Sequence, residues 1–232
     1  MQTPTEEVYD SLNTTFHSWL KNYEDGSVNG INSVSCTNSH AMKVDDLDRT
    51  NLKISVKVFL ESLDTNDLKN SVSQVMSDLD ITIIDSLVLA LPPFKDGSFS
   101  LGPVKPLWSE LEKLVKDGKV VTIGISDLDA NELAELYNWT EIKPSVNQVN
   151  LESCCVMPPE LIAFAKEKDI QLLTHNDSKI LLPDTMFHKI LEPAVPTPKE
   201  WKINWIVRYS IVVKCRGIIQ NKGYLLRSVK TT

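Results

Sequence analysis

The side chains in this sequence that could do chemistry are few, and no two sit at a diagnostic spacing. Lys57 lies in the strand-like run Ser55-Val56-Lys57-Val58, and His175 ends another extended run. A lysine in that setting perturbs a neighbouring acid or simply ends a strand. His175 has no accompanying nucleophile and reads as a structural histidine. The four cysteines, at 36, 154, 155 and 215, form neither a Cys-x-x-Cys pair nor a zinc-ligand pattern. Adjacent Cys154 and Cys155 follow a predicted strand, so one side chain can pack inward while the other reaches the surface. They read either as two small buried hydrophobes or as a surface thiol able to touch a partner. Glu152 beside them raises a thiol pKa, which argues against a hyper-reactive thiolate. No Gly-x-Gly-x-x-Gly is present to cradle a dinucleotide.

These residues hang on alternating strands and helices. Between Lys143 and Asp177 the chain reads strand, loop, helix, strand. Ser145–Leu151 is extended, Pro158 and Pro159 suit a helix start, and Leu161, Ile162, Phe164 and Ala165 give that helix an apolar side. Ile170–Leu173 is a second strand, parallel to the first. Earlier, residues 5–22 form an amphipathic helix and Asp25–Ser39 a polar loop. Leu52–Leu60 is a strand, Asp67–Leu79 a helix, and Ile81–Leu91 a strand buried on both faces. Phe94–Pro106 reads as a loop, Leu107–Val115 as helix and Lys119–Ile125 as strand. Asp129-Ala130-Asn131-Glu132 matches a capping box. A short helix near Asp184–Leu191 precedes a proline-containing linker, the aromatic-rich segment Glu200–Val213 and a last short strand at Gly217–Gln220. This alternation predicts a parallel α/β fold in one domain spanning 1–232, with residues 1–50 as an N-terminal helix and polar loop.

The 232 residues and 42% apolar content support a proper core, with about 70–75% of the unfolded surface buried on folding. A net charge of −7 argues against nucleic acid and anionic membrane as partners. The basic C-terminal residues Lys214, Arg216, Lys222, Arg227 and Lys230 read as a solvated tail. The acidic first thirty residues argue against a signal peptide, and no apolar run approaches the ~20 residues of a membrane span. Reduced thiols in the cytoplasm are the expectation.

Asn147-Gln148-Val149-Asn150, the Pro-Glu-Leu turn and the Lys-Asp-Ile strand resemble the aldo-keto reductase pattern. Cys154-Cys155-Val156-Met157-Pro158-Pro159 and Gln171-Leu172-Leu173-Thr174-His175-Asn176-Asp177 are similar to one family within it, the regulatory (modifier) subunits of glutamate–cysteine ligase. That resemblance runs from about Lys53 to Arg227, through Gly124-Ile125-Ser126-Asp127-Leu128-Asp129 and Arg216-Gly217-Ile218-Ile219. It implies a (β/α)₈ barrel of aldo-keto reductase type, complete or trimmed, since 232 residues lies at the short end for that fold.

The resemblance also assigns the sites. Lys57 falls where the reductases keep a lysine that perturbs a tyrosine acid, and Ala90 stands in place of their catalytic histidine. No tyrosine with the family's context precedes Lys57. Ser126 and Gln148 match two residues that hold a nicotinamide carboxamide. The third, an asparagine, is Asp127, and the stacking tyrosine is Asn176. Lys222, in Ile218-Ile219-Gln220-Asn221-Lys222, matches a lysine that grips the adenosine phosphate. Lys57, Ser126, Gln148 and Lys222 are thus expected as vestiges, and Lys57, Ala90, Ser126, Gln148 and Asn176 are expected to cluster around one end of the strands. No catalytic residue, cofactor or metal is implied. The implied partner is the catalytic subunit of glutamate–cysteine ligase in a heterodimer, with Cys154 and Cys155 as candidate contacts. An active or residual NADPH-binding reductase is the alternative.

Overall fold

A computed structural model describes residues 2–21, 43–44, 49–94, 97–150 and 156–231. Helix α1 (Pro4–Lys21) is followed by five strand–helix units. These are β1 (Leu52–Leu60) with α2 (Thr65–Leu79), β2 (Ile84–Ala90) with α3 (Leu101–Lys116), β3 (Val120–Ser126) with α4 (Ala130–Trp139), β4 (Val146–Asn150) with α5 (Pro159–Glu167), and β5 (Gln171–His175) with α6 (Asp184–Leu191). A hairpin of two long strands closes the chain, β6 (Trp201–Val213) and β7 (Ile218–Lys230).

The strands form one sheet in the order β5-β4-β3-β2-β1-β6-β7. From β1 to β5 all pairs are parallel, while β6 lies antiparallel to β1 and to β7. This is the trimmed form of the barrel. A five-strand parallel arc is present, and an antiparallel hairpin occupies the flank where further parallel strands would stand.

Alternation builds the outer face. Leu52, Ile54, Val56, Val58 and Leu60 are every second residue of β1, and all are buried against Leu68, Val72, Val75 and Leu79 of α2. Trp108 and Leu111 of α3, Leu133 and Leu136 of α4, and Leu161 and Ala165 of α5 join the same core. Each fully buried Leu, Val or Ile contributes about 1.5–3 kcal/mol. Among the described residues the inner face is covered at one end, where Val8 and Phe16 of α1 and Phe187, Ile190 and Leu191 of α6 pack on Trp201, Ile203 and Ile206 of β6. A register shift between Ile203 and Trp205 turns β6 over: before it Trp201 and Ile203 face inward, after it Trp205, Val207, Tyr209 and Ile211 face outward.

Two expectations change. Residues 101–106 are helix, not loop, because α3 starts at Leu101. Pro103 stands in the first turn, where it forfeits nothing, but Pro106 costs about 3 kcal/mol. Burial of Leu101, Val104, Leu107 and Trp108 outweighs that. The basic C-terminal end is not a solvated tail either. Lys222, Arg227 and Lys230 lie in β7, and each side chain has a partner: Lys222 pairs with Glu7 at 2.6 Å, Arg227 donates to Asn70 at 2.8 Å, and Lys230 pairs with Glu200 at 3.0 Å. The capping box at Asp129 and Glu132 is present. Among the described residues no helix is long and apolar enough to cross a membrane.

Candidate functional site

The carboxyl ends of β1, β3 and β5 converge, with β6 beside β1, on a cluster of ionisable groups. Lys57 is the sixth residue of β1 and faces inward, since its neighbours Val56 and Val58 face the outer core. Its ammonium donates to Asp177 Oδ2 at 2.8 Å, and both side chains are at most 5% exposed. Arg208 of β6, opposite Lys57 in the register, donates to both oxygens of Asp177, at 2.5 and 3.0 Å. That bidentate fork holds the carboxylate in a fixed plane. Both cations also lie over the Phe59 ring, at 5.1 and 5.5 Å.

His175 links this triad to β3. Its Nδ1 accepts the Asp177 N–H at 3.1 Å, so the neutral ring carries its proton on Nε2 and donates to Asp127 Oδ1 at 2.9 Å. Asp127 follows β3 in the left-handed region, φ 63°, which aspartate tolerates better than most residues. Its Oδ1 also accepts the Asn150 N–H at 3.0 Å.

The electrostatics follow from these contacts. Burial raises the Asp177 carboxyl, but His175, whose imidazolium Nδ1 stands 3.2 Å from Oδ2, the hydrogen bonds from Arg208 and the Lys57 charge outweigh it and hold it far below the ordinary carboxylate range. Burial lowers Lys57, and Asp177 only partly restores it. Burial also opposes the His175 imidazolium, yet Asp127 and Asp177 raise its pKa overall. Asp127 is lowered, chiefly because the bond from His175 overcomes its desolvation.

The register gathers the residues singled out in the sequence. Phe59 stands beside Ala90, Ser126 beside Gln148, and Gln148 beside Leu173, with Asn176 just beyond β5. Lys57, Gln148 and Asn176 line one cavity of about 550 Å³ on the inner face, together with Arg208, Lys222 and Tyr224. Ala90 and Ser126 end their strands at the same level. Cys154 and Cys155 lie outside the described residues. Asp177 and Arg208 were not foreseen: they lie 120 and 151 positions from Lys57, and no local pattern marks them as its partners. The motif ending His175-Asn176-Asp177 held the only available signal, and it lay in the carboxylate rather than the imidazole.

A family model for the aldo/keto reductase family matches residues 38–176, and the chain belongs to that family. Its place within the family comes from closer relatives. It is 44% identical to the glutamate–cysteine ligase regulatory subunit of Homo sapiens, over 97% of this chain and 85% of that one. Identity and coverage are the same for the regulatory subunit of Rattus norvegicus, and the chain belongs with these regulatory subunits. Among solved structures, the aldose reductase of Giardia lamblia is 21% identical, with a TM-score of 0.44 over 71% of this chain and 53% of that one. The chain spans between 37% and 53% of the length of the first solved reductases it matches.

Family membership raises the question of a nicotinamide cofactor. Ser126 Oγ and Gln148 Oε1 are buried without a hydrogen-bond partner among the described residues, which suits a carboxamide. The other contacts do not fit. Asp127 offers only acceptors, and its Oδ1 is taken by His175 and Asn150. Asn176 presents no ring face for stacking. The Lys222 ammonium is engaged by Glu7 of α1. The residues present therefore do not make a nicotinamide dinucleotide site.

Proposed function

We propose that this chain is a non-catalytic regulatory subunit that forms a heterodimer with the catalytic subunit of glutamate–cysteine ligase in the cytoplasm. It raises the effective affinity for glutamate there and weakens feedback inhibition by glutathione. The observation that carries this reading is 44% identity, along nearly the whole chain, to proteins named as that regulatory subunit. The site supports it: Lys57 and Arg208 neutralise Asp177, Ala90 replaces a proton-bearing side chain, and the cluster is closed on itself. Such a subunit needs no catalytic group. It binds one conformation of its partner more tightly than another, and shifts the equilibrium only by that difference. A coupling of ~1–3 kcal/mol changes ligand affinity roughly 5–150-fold.

Titrating this chain against the catalytic subunit, with glutamate or glutathione present and absent, tests the reading. Glutamate should tighten association and glutathione should loosen it, because binding coupling is reciprocal. No association removes the partner assignment; association indifferent to both ligands removes the allosteric half. Repeating the co-purification without reductant tests Cys154 and Cys155 as contacts.

One observation favours a second reading, residual reductase chemistry. Tyr224 lines the same cavity as Lys57 and could stand in for the missing acid. Its pKa, however, is raised by burial, the wrong direction for an acid that a lysine should activate. Stoichiometric NADPH consumption by the purified chain would support this second reading over the first.

A further inference from the structure

The inner face carries a feature that neither the charge cluster nor the partner reading uses. The register sets five side chains in one row across five adjacent strands. Lys222 of β7 stands beside Ser210 of β6, Ser210 beside Ser55 of β1, Ser55 beside Ser86 of β2, and Ser86 beside Thr122 of β3. All five line the 550 Å³ cavity. They lie two residues nearer the amino ends of the parallel strands than Lys57, below the level where the nicotinamide residues of the family gather.

In closed α/β barrels such interior layers are filled by branched apolar side chains. Here small hydroxyls stand in their place and leave space of the size small-molecule sites use, roughly 300–1,000 Å³. Thr122 donates its hydroxyl to the Asp85 carbonyl at 2.9 Å, whereas Ser55, Ser86 and Ser210 engage no other described side chain or carbonyl. The buried Gln148 Oε1, on the same cavity wall, is also without a partner among the described residues. An apolar occupant would leave all of these unsatisfied, each at a penalty. The occupant must therefore carry hydroxyl or similar polar groups.

Charge supplies the rest. Four cations line the cavity, Lys53, Lys57, Arg208 and Lys222; Glu7 answers Lys222, while Asp177 and Asp127 act on the Lys57 and Arg208 end. The positive charge left over, at Lys53, attracts an anion into a concave, partly desolvated trough. Lys53 at the rim has no carboxylate partner among the described residues.

We propose that this trough is a binding site for a small hydroxylated organic anion, with the serine row holding its hydroxyls and Lys53, the cation without a carboxylate partner among the described residues, its acidic head. The acidic head is a carboxylate or a phosphate, as in a sugar acid or a sugar phosphate. The site belongs to this chain alone and stands whether or not the partner reading does.

Calorimetric titration of the full chain with gluconate, glucose 6-phosphate, glucose and inorganic phosphate tests it. Gluconate or glucose 6-phosphate should bind one to one, the responding anion identifying the head group. Glucose and inorganic phosphate should bind at least about tenfold more weakly, since each lacks half of the recognition. The double variant Ser55→Val/Ser86→Val restores the branched layer of an ordinary barrel. It should keep or raise the unfolding midpoint and weaken binding by about tenfold or more. Lys53→Gln breaks no ion pair and should weaken binding while leaving the fold intact, which keeps the test open if the double variant fails to fold. Three results would overturn the proposal: no heat from either organic anion at millimolar concentration, unchanged affinity in Lys53→Gln, or inorganic phosphate binding as tightly as both, which marks an adventitious ion only.

Discussion

The two faces of the sheet solve the burial problem in opposite ways. On the outer face Ile54, Val56 and Val58 of β1 join one apolar core with residues of α2, α3, α4 and α5, and stability there comes from many interchangeable apolar contacts. On the inner face the same strand presents Ser55, Lys57 and Phe59, with Lys57 as thoroughly buried as its apolar neighbours. An apolar contact is lost with its own area and the cavity left behind, and no uncompensated charge remains. A buried charge cannot lose its partner so cheaply, because the survivor keeps its desolvation penalty. The outer face is therefore tolerant and the inner face brittle, although the inner face contributes less net stability.

The largest expected effect tests that brittleness. Asp177→Ala leaves Lys57 and Arg208 without their carboxylate and should cost about 3–5 kcal/mol, read from the denaturant midpoint at unchanged slope. Replacing the set together, Lys57→Met/Asp177→Leu/Arg208→Met, should recover most of that loss or exceed wild type. A triple variant no better than the single one would mean the cluster stabilises in its own right. On the outer face, Leu111→Ala removes a fully buried side chain and should cost about 2–5 kcal/mol, with no companion substitution needed to explain it.

The same division governs how much of the molecule is legible in its sequence. Strands β1 to β3 stand out because alternation or unbroken apolar runs register locally. Helix α3 is legible only from Leu107, since Pro103 and Pro106 read as breakers until the tertiary burial of Leu101 and Val104 is known. Strand β7 is legible only as far as Gln220, and its continuation is hidden by Lys222, Arg227 and Lys230, whose partners are Glu7, Asn70 and Glu200, up to 215 positions away. In the site, Lys57, Ser126 and Gln148 are recoverable by resemblance. Arg208 is not, because its meaning depends on lying opposite Lys57 in an antiparallel pair. Inner-face chemistry is a property of register, which no local window records.

A weaker effect concerns pH. The His175 pKa is raised in the folded state, so its contribution is fully present below its unfolded value of about 6.5 and lost as pH rises through the folded value. Asp177 works the other way: its pKa is depressed, so its contribution is present above about pH 4 and lost as pH falls into the acid range. The groups facing His175 are Asp127, Asp177 and Lys57, with Arg208 behind Asp177. Stability should therefore be greatest in weak acid and decline above pH 6.5. His175→Gln should flatten the alkaline side of that profile and also lessen the acid-side loss, since His175 helps hold Asp177 and Asp127 low. An unchanged alkaline decline would assign it to other groups.

The smallest effect isolates burial as the variable. Lys222 and Glu7 make an ion pair at 2.6 Å, shorter than the 2.8 Å between Lys57 and Asp177, and it ties α1 to β7. Its two side chains are 55% and 32% exposed, against 5% and 3% for Lys57 and Asp177. In water-rich surroundings the attraction is screened and each partner is readily re-solvated when the other is removed. Glu7→Gln should accordingly change stability by less than about 1 kcal/mol, and the difference from wild type should shrink further as salt rises from 0.05 to 0.5 M, over which the Debye length shortens roughly threefold. Apolar packing of Val8 and Phe16 would keep α1 in place. Should Glu7→Gln instead cost as much as Asp177→Ala, proximity rather than burial would set the strength of these pairs, and the contrast between a tolerant outer face and a brittle inner one would fail.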